Sequence, residues 1–191
     1  MRATQWGMKA GKLLIAAAGL LALAACAPNV QVVEEVALPG QDAFGPAFYC
    51  GYRRGAPLPH QVFVPKGEVT LTLIGGESAA IGVEEGYFAT ENPSIQVLVV
   101  RYPGALKGCL TPPLSAGFEP GGPFGLVHVF GGERERIYSI DTLNESPRGM
   151  RAYEALTPLG EKAGVLVFIE EWVDADYNDA VLLLRGAEPV R

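Results

Sequence analysis

Apolar and polar positions alternate in short runs along most of this chain. The clearest run is 68–74 (EVTLTLI), where Val69, Leu71 and Leu73 alternate with Glu68, Thr70 and Thr72. A period of two sends successive side chains to opposite faces, the mark of a strand with one face buried. Residues 61–64, 94–102 (SIQVLVVRY), 124–130 (FGLVHVF), 136–140 (RIYSI), 163–172 (AGVLVFIEEW) and 180–184 (AVLLL) read as further strands. The joints carry turn chemistry: Pro65-Lys66-Gly67, Gly75-Gly76, Pro103-Gly104, Pro120-Gly121-Gly122-Pro123 and Gly131-Gly132. Residues 147–156 suit a helical turn or two. The 24 glycines and 15 prolines make about a fifth of the 191 residues, which also favours turns over long helices. These features predict an all-β fold, an antiparallel β-sandwich or jelly roll with little helix, over 48–191.

The N-terminus breaks this rhythm. Arg2, Lys9 and Lys12 precede an uninterrupted apolar run at 13–25 (LLIAAAGLLALAA). Such a run is too short for a spanning helix, which needs about 20 residues. It fits the h-region of a secretory signal over 1–25. Leu23-Ala24-Ala25-Cys26 follows, and it resembles a bacterial lipobox. That resemblance implies a diacylglyceryl group on the Cys26 thiol, cleavage before it, and anchoring by palmitate-type acyl chains. At about 0.8 kcal/mol for each buried CH₂, two or three chains hold a protein on a bilayer. Residue 27 is Ala, whereas an Asp there would resemble an inner-membrane retention signal, so the expected address is the outer membrane. Residues 26–47 lack a clean period and read as a tether.

Charge and cysteines agree with export. The formal charge is −6; loss of the signal removes three cations and leaves 12 basic against 21 acidic side chains, or −9. An acidic surface excludes a phosphate-neutralising nucleic-acid binder. It also leaves membrane attachment to the lipid. Besides Cys26 there are Cys50 and Cys109, which stand either as a disulfide or as two free thiols, and an oxidising compartment favours the bridge. No CxxC redox motif is present.

Candidate chemistry concentrates near the C-terminus. Glu170, Glu171, Asp174, Asp176, Asn178 and Asp179 place six carboxylate or carboxamide groups within ten residues, between two apolar strands. Such crowding needs solvent, backbone N–H donors or a cation to offset repulsion. All-oxygen ligands suit a hard ion, with Ca2+ the first candidate. The D-x-D-x-N spacing from Asp174 opens like an EF-hand loop. It then departs, with Asp179 at the Gly position and Arg185 at the closing Glu position. The competing reading is a turn in which Asp and Asn bond nearby amides. Trp172 and Tyr177 could stack on sugar rings, or simply pack the corner.

Other motifs are sparse. His60 and His128 lie far apart, and His128 sits in an apolar strand, where a satisfied, half-buried histidine is expected. Ser78, Ser94, Ser115, Ser139 and Ser146 lack a G-x-S-x-G elbow. No phosphate-binding loop, dinucleotide fingerprint or H-E-x-x-H occurs. Acids crowded on one turn seldom straddle a glycosidic bond.

The closing segment resembles the bacterial domain of unknown function 4114 family of secreted and surface-displayed proteins. Phe168-Ile169-Glu170-Glu171 stands where that family has an aromatic-x-x-Glu-Asp strand end. Asp174-Ala175-Asp176-Tyr177-Asn178-Asp179 matches its D-x-D-[YF]-N-D motif, ahead of a final apolar strand. The overlap covers 136–186. It departs at Glu171 and in a turn shortened to Trp172-Val173. The resemblance implies a β-sandwich with a calcium role and supplies no activity. The expectation is therefore a non-enzymatic, lipid-anchored envelope protein, structural or adhesive, with a Ca2+-stabilised acidic turn and an envelope protein or glycan as partner. The alternatives are a carbohydrate-binding module using Trp172 and Tyr177, or an envelope hydrolase.

Overall fold

A computed structural model describes residues 47–58, 61–132, 135–144, 148–172, 174 and 176–190. The expected signal peptide, Cys26, the expected tether as far as residue 46, His60 and Ser146 lie outside the described residues.

The described chain is all β. Its strands are β1 (Phe48–Tyr49), β2 (Tyr52–Leu58), β3 (Phe63–Gly76), β4 (Val83–Ala89), β5 (Gln96–Tyr102), β6 (Gly108–Phe118), β7 (Phe124–Phe130), β8 (Glu135–Tyr138), β9 (Gly149–Leu156), β10 (Lys162–Glu170) and β11 (Ala180–Pro189). A single 3₁₀ turn, Asp141–Leu143, stands between β8 and β9. Every pairing is antiparallel, in the order β1-β2-β9-β10-β11-β3-β7-β4-β5, with β6 also on β3 and β8 on β7.

The 14-residue β3 joins the two halves. It pairs with β11 along most of its length and with β6 over its later residues, yet meets β7 only at Phe63 opposite Phe124. Inner faces of both halves share one core. Val69, Leu71, Leu73, Val165, Val167 and Ile169 come from one side of it, and Val83, Val100, Leu126, Phe130 and Ile137 from the other. Val69, Leu71 and Leu73 are fully buried, as the alternation at 68–74 predicts, but the opposite face is covered as well toward the end of β3, where Thr72 is buried and Ile74 joins a second cluster. In β10 the other parity is buried as well: Leu166 and Phe168 join that second cluster with Ile74, Tyr153, Val181 and Leu183. A strand covered on both faces reads as a continuous apolar run, which is how 163–169 looks in the sequence.

Three local expectations change. Within the expected helical stretch, Gly149–Leu156 forms a strand, β9: Met150 and Ala152 face one cluster while Tyr153 and Ala155 face the other. Pairing with β2 and β10 overrides the helix preference of Met, Ala, Glu and Leu. Gly75-Gly76 ends β3 and is no turn; these glycines let other backbone come close, since a Cβ on Gly76 would lie 2.1 Å from the Asp179 carbonyl oxygen. Pro65-Lys66-Gly67 lies within β3, beside the bulge at Arg185/Ala187 of β11. Strands β1, β2, β4 and β6 are not apparent in the sequence. Pro112 and Pro113 in β6 fall where the ladder to β3 shifts register, between Cys109 and Leu114, so their missing N–H groups leave no gap in it.

Cys50 and Cys109 form a disulfide with Cα atoms 5.4 Å apart, tying the turn after β1 to the start of β6. Closing 59 residues of chain is worth about 4 kcal/mol in the chain-entropy account.

Candidate functional site: two neighbouring glutamates on opposite faces

The parity of β10 carries on to its end. Ile169 faces the inner core and Phe168 the outer cluster, so Glu170 and Glu171 leave the strand on opposite faces. Both are fully buried, but they enter two different environments.

Glu171 points into the core. There His128 of β7 stands opposite Glu85 of β4 in the ladder. His128 Nδ1 lies 2.8 Å from Glu85 Oε1 and Nε2 lies 2.9 Å from Glu171 Oε1. All three side chains have zero exposure. Ser78, in the loop after β3, donates to Glu171 Oε2 at 2.6 Å and accepts the Ala80 N–H at 3.0 Å. A carboxylate at each ring nitrogen favours a proton on both, the imidazolium form. Burial alone would push its pKa down. The Glu85 charge and the hydrogen bonds to Glu171 and Glu85 outweigh burial and raise it to about 10. The ring also stacks on Phe130, centroids 5.5 Å apart. His128 is thus sealed, not half-buried, and has no free lone pair with which to accept a proton.

Glu170 faces the acidic turn. Its carboxylate accepts the N–H groups of Trp172 and Tyr177, both at 3.0 Å. Tyr177 takes a left-handed backbone, φ +52°, unusual for a bulky residue. Its ring is buried, with the Arg151 guanidinium 5.1 Å from its centre. Asp179 closes the turn: its N–H donates to the Ile169 carbonyl at 3.2 Å, and its Oδ2 accepts the Glu171 N–H at 2.6 Å. The Asn178 N–H reaches Asp176 Oδ1 at 3.3 Å, and the Asn178 carbonyl accepts the Glu77 N–H at 2.9 Å.

Oxygen atoms of Glu170, Asp174 and Asp176 lie within 4.8 Å of one another. Burial pushes the Glu170 carboxyl up, the Tyr177 N–H pulls it back, and the charges of Asp179 and Asp174 raise it again, to about 7. Asp179 is raised to about 6 by burial, against the Glu171 N–H, with Glu171, Asp176 and Asp174 adding repulsion.

The residues singled out from sequence therefore divide. Glu170, Asp174 and Asp176 converge. Glu171 is turned away to His128, Asp179 caps a backbone amide, and Asn178 enters through its main chain. Tyr177 is packed inside, whereas Trp172 is 49% exposed. Glu85 escaped the sequence reading, and Ser78 entered it only as a serine without a nucleophile elbow; the hint of Glu85 was a Glu-Glu pair just ahead of aromatic Tyr87 and Phe88. Two surface depressions, one near Gln61 and Ile140 and one near Tyr52 and Cys109, are lined by neither Trp172 nor the acidic turn.

No family model, curated protein or solved structure matches the chain. The resemblance of the closing D-x-D-Tyr-Asn-Asp motif rests on the motif alone.

Proposed function

We propose that the mature protein is a lipid-anchored, non-enzymatic β-sandwich of the bacterial cell envelope, structural or adhesive, whose acidic turn takes Ca2+. The observation that carries the calcium reading is the approach of Glu170, Asp174 and Asp176 to within 4.8 Å. Three carboxylates that close repel one another, and a hard divalent cation offsets that repulsion. Ca2+ accepts six to eight oxygen ligands in flexible geometry, so water and carbonyl groups complete a partial protein set. Burial first, and then the charges of neighbouring acids, raises the carboxyls of Glu170 and Asp179 in the ion-free chain. The anchor rests on the charged n-region, the apolar run and Cys26. The closing-motif resemblance adds a surface-display context with an envelope protein or glycan as partner, and Ala27 in place of Asp gives the outer membrane as address.

Calorimetry of the mature protein with and without Ca2+, beside the double variant Asp174→Ala/Asp176→Ala, tests the ion. The expected result is a higher thermal midpoint with Ca2+ in the parent only, and equal midpoints throughout discard it. Mass spectrometry of the membrane-extracted protein tests the anchor, which requires a chain beginning at an acylated Cys26.

The exposure of Trp172 beside the acidic rim favours a second reading, a carbohydrate-binding surface. The buried Tyr177 ring offers no stacking face, so this reading stands on Trp172. A glycan array with Trp172→Ala separates the two.

A further inference from the structure

We infer that the buried group of Glu85, His128, Glu171 and Ser78 is a positioning device that holds the acidic turn in its ligand-ready shape. This rests on the calcium reading above. Glu170, Asp174 and Asp176 must be kept together before any ion arrives, although their charges drive them apart. The turn's own hydrogen bonds are short-range and partly exposed. Its firm attachment is Glu171, whose carboxylate is gripped at both oxygens, by His128 Nε2 at 2.9 Å and by Ser78 at 2.6 Å. The main chain of the same residue binds Asp179 at 2.6 Å. Glu170 is the next residue back, so fixing Glu171 fixes the peptide that aims Glu170 outward.

His128 is held in turn by Glu85 on the neighbouring strand. The 77–82 loop is tied to the turn a second time, through the Glu77 N–H and the Asn178 carbonyl at 2.9 Å. The chain of contact thus runs from β4 through β7 to the end of β10 and into the turn. His128 and Glu85 touch no ligand oxygen; they act through Glu171. Partners that orient metal ligands in this way typically change affinity 10–100-fold when removed.

The test titrates Ca2+ calorimetrically into the mature parent, His128→Gln, Ser78→Ala and Asp176→Asn. It also follows amide hydrogen exchange of Trp172 and Tyr177 without ion. Val165→Ala, a core change at the start of β10 and so at the end of that strand far from the turn, controls for general loss of stability. Expected are about tenfold or weaker binding in His128→Gln, a smaller loss in Ser78→Ala, and faster exchange at both amides in these two. Val165→Ala should leave affinity and turn exchange as in the parent. Parent-like affinity and exchange in both His128→Gln and Ser78→Ala overturn the inference. So does an equal weakening in Val165→Ala. If His128→Gln does not fold, Ser78→Ala alone decides by the same readouts. If the parent takes up no Ca2+, the calcium reading falls, and exchange at Trp172 and Tyr177 still decides whether the buried group positions the turn.

Discussion

Glu170 and Glu171 are adjacent, chemically identical and equally hidden from solvent, yet one belongs to a closed ionic group and the other to an open acidic turn. Glu171 faces a cation supplied by the protein, the His128 imidazolium, and a hydroxyl donor. Glu170 faces two backbone N–H groups and two further carboxylates. In the first region one imidazolium lies between two carboxylates with water excluded, so their attraction is little screened, although Glu85 Oε2 has no hydrogen-bond partner among the described residues. In the second, like charges gather at a surface and something from outside must balance them. Burial alone therefore says little about a carboxylate's role; the sign of its neighbours decides it.

The comparison breaks or sharpens through substitutions whose effects differ in size. Glu171→Gln leaves the imidazolium paired with Glu85 alone and replaces two charge-assisted hydrogen bonds by weaker amide ones, and should cost about 1.5–3 kcal/mol by urea unfolding. A cost below about 1 kcal/mol would mean that the two glutamates are equivalent. Gly76→Ala drives a Cβ to 2.1 Å from the Asp179 carbonyl oxygen, where β3 braces the turn, and should cost about 1–3 kcal/mol by the same measure. Glu170→Gln keeps one acceptor for two backbone donors and should cost about 1 kcal/mol without ion, while abolishing any calcium-dependent rise in thermal midpoint.

The two regions should also respond differently to pH. His128 holds its proton up to about 10 in the folded chain, against an ordinary value of 6.5. The folded state binds more protons between those values, so this stabilisation is complete below 6.5 and is lost as pH rises through 10. Glu170 and Asp179 are raised from 4.5 and 3.8 to about 7 and about 6. Their contribution to ion-free stability is complete below 3.8 and falls as pH climbs through 6 to 7. Thermal midpoints across pH in chelator should show both declines, and Ca2+ should flatten only the lower one. A lower decline untouched by Ca2+ would detach the ion from the turn.

Much of this molecule follows from sequence alone. The period of two in 68–74, the apolar runs at 124–130 and 163–169 and the Gly/Pro joints between them specify short strands and an all-β class, because alternation is a local property of the backbone. The acid-rich stretch from Glu170 to Asp179 announces a charged turn on composition, and an even cysteine pair behind a segment that reads as an export signal favours the disulfide that the fold contains. What only the tertiary structure decided is which acids meet which partners. Glu85 lies 43 residues before His128, His128 lies 43 before Glu171, and Ser78 lies 93 before it. No local pattern encodes such pairings; they follow from strand order, in which β4 lies beside β7 and β3 beside β11. The fate of the glutamate pair depends on the parity with which β10 enters the core, and one residue of register would have exchanged their places.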